Sequence, residues 1–242
     1  MVVGLLGNKS PDSNRFTLVT PKSENDVRLQ ATLGNQNLIG LPVGVVSCDK
    51  DIAFSKRSKD MAKVLFIIGS MRNASFNRQL AKKAEKLIGE RAEVSYLEYA
   101  DIPYMNQDIE FPAPEEVQRV RDAVKEADGI WIFTPEYNGN IPGVLKNLLD
   151  WLSRPLVAGD LSTPVTVGKA ITISSVAGKS AGSGVRTILS KLLEMMRTEL
   201  IMAEGTGISL SRESFASGKA DFSQENIEAI KKQASELLNR LN

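Results

Sequence analysis

The run Gly69-Ser70-Met71-Arg72-Asn73-Ala74-Ser75-Phe76-Asn77-Arg78 gathers small hydroxyl and amide side chains around an arginine. An apolar stretch precedes it and a helical stripe follows, so it reads as a strand-to-helix turn. Backbone N–H groups at a helix start have no intrahelical partner, and the helix dipole is positive there, so an anion fits. Ser70, Ser75 and Asn77 add donors, and Arg72 adds a permanent planar fork suited to phosphate. A plain N-cap by Ser75 would account for that residue but not for Ser70 and Arg72 beside it. A second run, Thr134-Pro135-Glu136-Tyr137-Asn138-Gly139-Asn140-Ile141-Pro142, holds its backbone on an unusual path through two prolines and a glycine. Outward N–H groups there suit the polar edge of a planar heterocycle, and Tyr137 offers it a flat wall. A surface turn would carry the same residues.

Several other chemistries are excluded. The 242 residues include no His and one Cys, Cys48. Imidazole-based triads and zinc sites, CxxC redox chemistry and an intramolecular disulfide are therefore out of reach. A phosphate loop of the Gly-x-x-x-x-Gly-Lys-Ser type fails at Gly178-Lys179-Ser180, because position 173 is Ile. No Gly-x-Gly-x-x-Gly follows any strand-like run, so the dinucleotide fingerprint is missing as well. Redox or transfer chemistry here has to come from a bound group rather than from side chains.

The elements that position the two loops follow from periodicity. Lys63–Ile68 is a continuous β-branched and aromatic run, the mark of a strand buried on both faces. Phe76–Ile88 carries a helical stripe ended by Gly89. Glu93–Glu98, Gly129–Phe133, Lys169–Ser175 and Leu200–Ala203 read as further strands, with helices over 114–127, 143–154, 185–197 and 225–241. This alternation predicts a flavodoxin-like, doubly wound, five-stranded parallel sheet of order 2-1-3-4-5 in a three-layer α/β/α sandwich. Ligands of such sheets sit at the carboxyl ends of the strands, which puts the loops after Ile68, Phe133 and Ser175 together. In the helix over 143–154 and its approach, Ile141, Val144, Leu145, Leu148, Leu149, Trp151 and Leu152 share an arc of roughly 160°. So broad an arc is expected to meet a second subunit in part; full burial in a thick core is the alternative.

The chain changes character near Met61. Residues 1–60 show no sustained period and read as an irregular extension, disordered or preceding the natural start, or else as a small accessory segment. Residues 61–242 form the regular domain. With 30 Lys+Arg against 29 Asp+Glu there is no footprint for nucleic acid. No window is long and apolar enough to insert in a membrane, and the start lacks a basic n-region, so the expected compartment is the cytoplasm.

Three ordered motifs then become specific together: Gly69-Ser70-x-Arg72-x-x-Ser75-x-Asn77-Arg78, Thr134-Pro135-Glu136-Tyr137-Asn138, and Pro142-Gly143-x-Leu145-Lys146-Asn147 with Asp150-Trp151. They resemble the NAD(P)H-dependent FMN reductase family, the flavodoxin-like group of bacterial quinone, azo-dye and chromate reductases, over about residues 62–240. The resemblance implies that Ser70, Arg72, Ser75 and Asn77 hold the FMN phosphate and that Pro135, Glu136, Tyr137 and Asn138 line the ring. It also implies that the run Ser174–Gly182 closes over the ring, with Ser174, Ser175 and Gly178 as contacts. The implied reaction is two-electron, ping-pong hydride transfer from NADH or NADPH through FMN to quinones, azo compounds, flavins or oxidised metal ions such as chromate. It needs no catalytic side chain and no metal. A homodimer or homotetramer is implied too. The alternative is a non-catalytic flavodoxin-type carrier or a flavin-binding redox sensor.

Overall fold

The computed structural model describes residues 61–242 and, upstream, the backbone of two short strands, β1 (Arg15–Thr17) and β2 (Gln30–Thr32). The chain divides into Met1–Lys56 and Arg57–Asn242. In the first unit β1 pairs antiparallel with β2, Arg15 opposite Thr32, a pairing that no periodicity announces. The extension expected over 1–60, Cys48 included, otherwise lies outside the described residues.

The second unit runs β3 (Lys63–Ile68), α1 (Phe76–Ile88), β4 (Glu93–Tyr96), α2 (Glu115–Glu126), β5 (Gly129–Phe133), α3 (Gly143–Leu152) and β6 (Ala170–Ala177). It continues through α4 (Ser183–Met195), β7 (Glu199–Leu200), β8 (Thr206–Ser209), α5 (Arg212–Ser217) and α6 (Gln224–Leu241). Strand order is β4-β3-β5-β6, all parallel, and β7 and β8 both pair with β6. This is the 2-1-3-4-5 order with its fifth position split. β7 stands beside Ala170–Ile171 and β8 beside Ser174–Ala177. The single strand expected at Leu200–Ala203 is corrected accordingly. The chain leaves the sheet where Met202 takes φ 54° and the Gly205 N–H closes a turn on the Met202 carbonyl, then rejoins it at Thr206.

Side chains alternate across the sheet with period two. Val64, Phe66 and Ile68 of β3 join Trp131, Phe133, Leu80, Ile230 and Leu237 on the α1/α6 face. Leu65 and Ile67 join Ile130, Ile132, Leu145, Leu148, Val185 and Leu189 on the α2/α3/α4 face. The wide apolar arc of α3 is spent inside this chain. Leu145, Leu148, Leu149, Trp151 and Leu152 are buried, and Val144 alone among the arc residues is exposed. Most of the arc is covered within the chain, because the fold offers it two neighbours, and Val144 is the part of it left open. The sheet takes one side, and the segment before α2 takes the other: Trp151 Nε1 and Asn147 Nδ2 both donate to the Pro103 carbonyl, at 2.8 and 2.9 Å.

A buried polar network crosses the α6 face. Gln233 Nε2 donates to Thr172 Oγ1 and to the Ile173 carbonyl, both at 2.7 Å. Its Oε1 accepts from Ser174 Oγ at 2.8 Å, and Ser174 Oγ accepts from Trp131 Nε1 at 3.0 Å. Every member is satisfied, which is the condition for such a network to stabilise rather than cost. Gln233→Leu conserves much of the volume but removes one partner from each of three buried polar groups, Thr172 Oγ1, Ser174 Oγ and the Ile173 carbonyl. It should lower unfolding free energy by about 2–4 kcal/mol, read as a lower urea midpoint at unchanged slope.

Candidate functional site

The loops after β3, β5 and β6 converge at one edge of the sheet. The first begins with Gly69, whose N–H donates to the Phe133 carbonyl at 2.7 Å. A Cβ on Gly69 would fall 2.8 Å from Thr134 Oγ1 and 3.1 Å from Leu145 Cδ2, so the close approach of the first two loops requires glycine. Ser70 is buried, with Oγ 3.4 Å from the Tyr137 hydroxyl. Ser75 caps α1 by accepting from the Arg78 N–H at 3.4 Å, so the plain N-cap accounts for its side chain. Arg72 is exposed: its guanidinium lies 4.8 Å over the Phe76 ring and donates to the Ala74 carbonyl at 2.6 Å.

Behind this loop Tyr99, which no sequence pattern singles out, donates its hydroxyl to the Ile68 carbonyl at 2.6 Å. Burial pushes the Tyr99 phenol well above its ordinary pKa, so it stays protonated and keeps donating. The last β3 carbonyl before the loop is thus held at a fixed place.

The second loop reverses through Tyr137-Asn138-Gly139-Asn140. Tyr137 and Asn140 exchange both backbone hydrogen bonds, at 3.1 and 3.0 Å. The two residues between them take φ 53° and 73°, the pattern of an Asn-Gly type I′ turn. Tyr137 stands half exposed at the base of this turn. Glu136 turns its carboxylate to the start of α4, accepting from the Val185 N–H at 2.9 Å and from Ser180 Oγ at 3.3 Å. An acidic group is favourable there because it meets free N–H groups and the positive end of the dipole.

The resulting cleft has a volume of about 280 Å³. Of the expected residues, Ser70, Arg72, Ser75, Asn77, Pro135, Glu136, Tyr137 and Gly178 line it. Asn138, Ser174 and Ser175 do not. Asn138 sits at the exposed tip of the turn. β6 runs to Ala177, two residues past its expected end, so both serines are interior strand residues. Ser174 faces α6 in the Gln233 network. Ser175 faces the opposite way, fully buried, its Oγ packed on Gly182 with no hydrogen-bond partner. The lining falls instead to Val176, Ala177 and Gly178.

Phe76 and Phe215 were not foreseen as lining residues. Phe215 comes from α5, a six-residue helix too short for a periodic signal, and meets the Phe76 ring edge-on at 5.3 Å. A larger hollow of about 560 Å³ lies beside β8 and the start of α6 and includes none of the expected residues. Among the described residues no helix is long and apolar enough to cross a membrane.

A parallel α/β sheet with an anion cradle after its first strand, and two further loops closing on the same edge, defines a flavodoxin-like mononucleotide-binding protein. Residues 62–206 match the family described as NADPH-dependent FMN reductase, and the chain belongs to that family of FMN- and NAD(P)H-using oxidoreductases. It is 35% identical to a quinone reductase of Pseudomonas putida over 127 residues, 52% of this chain and 68% of that protein. It is 40% identical to a 2-hydroxy-1,4-benzoquinone reductase of a Burkholderia species over 93 residues, 38% of this chain and 51% of that one. The fold is similar to that of FerB, a flavoenzyme NAD(P)H:(acceptor) oxidoreductase of Paracoccus denitrificans. The TM-score is 0.65 at 26% identity, over 74% of this chain and 97% of FerB. Phe215 and α5 lie beyond the residues that the family match covers.

Proposed function

We propose that this chain is an FMN-dependent NAD(P)H oxidoreductase that reduces quinones, with azo compounds, free flavins and oxidised metal ions such as chromate as further acceptors. The observation that carries this reading is the cleft in which Ser70, Ser75, Arg72 and the start of α1 meet the loops Pro135–Tyr137 and Val176–Gly178. The donor set suits FMN. Two hydroxyls, a guanidinium and the first N–H groups of a 13-residue helix match a phosphate monoester. Two loops rich in backbone amides border the space for a flat ring. Held here, FMN would supply the two-electron chemistry between NADH or NADPH and an acceptor, in a ping-pong sequence with the oxidised nucleotide leaving before the acceptor enters.

The chain's own residues bind and orient. Arg72 offsets phosphate charge, and Ser70 and Ser75 donate to phosphate oxygens. Tyr137 and Phe215 wall the cleft, Tyr137 with its hydroxyl toward Ser70. Glu136, tied to the start of α4, holds the second loop against the fourth helix. Asn138, Ser174 and Ser175 act on this site only through the turn and strand that they build.

The purified protein should show a flavin spectrum and oxidise NAD(P)H rapidly with a quinone, with an azo dye and chromate as comparison acceptors. Flavin-loaded protein inert to both nucleotides would sink the enzyme reading and leave an electron carrier. Arg72→Ala should weaken FMN binding by about 10- to 100-fold, as loss of a charge-assisted contact does, and leave riboflavin binding unchanged. Equal loss for both ligands would count against the phosphate assignment.

We also assign the activity to residues 61–242, since among the described residues both core clusters lie between Ala62 and Leu241. A chain starting at Met61 should keep flavin and turnover; an unfolded or inactive product would make residues 1–60 part of the domain. A cytoplasmic homodimer or homotetramer completes the proposal, and cell fractionation that finds the protein elsewhere would remove the compartment. Exposed apolar side chains support self-association: Tyr104 and Phe111 before α2, and Val157 and Leu161 after α3, in segments joined by the Arg154–Glu110 ion pair at 2.8 Å. Light scattering should give twice or four times the chain mass, and a monomer at micromolar concentration would refute the assembly.

A further inference from the structure

Asn77 is the second residue of α1 and lines the cleft, yet its side chain is committed elsewhere. It is 2% exposed. Its Nδ2 donates to the Val176 carbonyl at 3.1 Å, and its Oδ1 accepts from the Val176 N–H at 2.9 Å. The two residues are 99 positions apart. The amide therefore spans from the phosphate helix to the end of β6.

The topology explains why a side chain is needed there. The β5–β6 ladder ends with Phe133 beside Ser174, and the Thr134 N–H reaches the Ser174 carbonyl at 2.9 Å. The next rung would serve Val176, whose backbone groups face the same way as those of Ser174. β5 has already turned away at Pro135, which has no N–H to offer. Unpaired, the buried Val176 N–H and C=O would each carry a desolvation cost. The Asn77 amide presents one donor and one acceptor side by side, as the missing strand would.

We propose that Asn77 is a positioning residue: it fixes the gap between the phosphate loop and the Val176–Gly178 loop, and so governs the grip on the flavin ring rather than on the phosphate. Gly178, two residues on, lines the cleft, so a shift of Val176 is transmitted directly to the loop bordering the ring. The phosphate contact expected of Asn77 falls to its backbone N–H, in the first turn of α1.

This inference rests on the FMN reading, and flavin binding to the apoprotein tests it separately from turnover. FMN and riboflavin titrations, followed by flavin fluorescence, are compared for the unaltered chain, Asn77→Ala and Arg72→Ala. Asn77→Ala should weaken both flavins by the same factor, about tenfold, and should shift the flavin reduction potential. Arg72→Ala should weaken FMN alone. Weakening of FMN with riboflavin unchanged in Asn77→Ala would return Asn77 to the phosphate and overturn the proposal, as would no change in either. Asn77→Ser, which keeps a hydroxyl near Val176, is the milder variant and should show the same equal loss at smaller size. Failure of both variants to fold would also overturn the proposal, by assigning Asn77 to global stability. If the unaltered chain binds neither flavin, the proposed function fails instead, and the two failures are told apart.

Discussion

The cleft depends on parallel strands that open on one edge. Ile68 stands beside Phe133, and Phe133 beside Ser174, so β3 and β5 exit in register while β6 runs on to Ala177 and exits three residues further along the same edge. Parallel ladders cannot end in hairpins, so each exit must run out into a crossover. The three loops are thereby forced into one neighbourhood before any side chain is chosen. What the sequence adds is closeness. At Gly69 the missing side chain lets the first loop touch Thr134 and Leu145, and the anion cradle and the second loop become one surface.

Strands that end at different heights leave backbone groups without rungs, and side chains take their place. Tyr99 serves the Ile68 carbonyl, Asn77 serves both groups of Val176, and Glu136 serves the Val185 N–H at the start of α4. Each is a buried or half-buried polar group joining elements distant in sequence. Together they hold the end of β3, the end of β6 and the start of α4, the three places from which the cleft is hung. Rigidity at this edge thus comes from side-chain substitutes for ladder bonds, while the strands supply only the direction.

The fold was legible because its signals are redundant. β3 and β5 are continuous apolar runs, α1 and α6 are clean stripes, and α1 ends at Gly89. Failures came where a local signal was short or a register was off by a residue or two. The fifth strand reads as one apolar run at Leu200–Ala203, yet the turn at Met202–Gly205 divides the edge between β7 and β8. Ser174 and Ser175 were implied as ring contacts because the Ser- and Gly-rich run of the family begins at them, but β6 goes on through them and sends one to each face. The breadth of the α3 arc left its cover open because periodicity measures apolar width, not what covers it; within the chain Trp151 and Asn147 close on Pro103. In the candidate site the lining residues Ser70, Arg72, Ser75 and Asn77 were readable from donor types and spacing. Tyr99 and Phe215 were not, since each acts through a contact that only the folded chain creates.

The absence of histidine acquires a physical meaning at this edge. Two charged side chains line the cleft, Arg72 and Glu136. The guanidinium lies over the Phe76 ring and donates to the Ala74 carbonyl. The carboxylate is turned to the Val185 N–H and the Ser180 hydroxyl. Both side chains are engaged by contacts within the chain. The remaining lining is hydroxyl, amide, aromatic and aliphatic, suited to placing a ligand and shaping its surroundings. Such a lining makes chemical sense when the reactive group is brought in by the ligand.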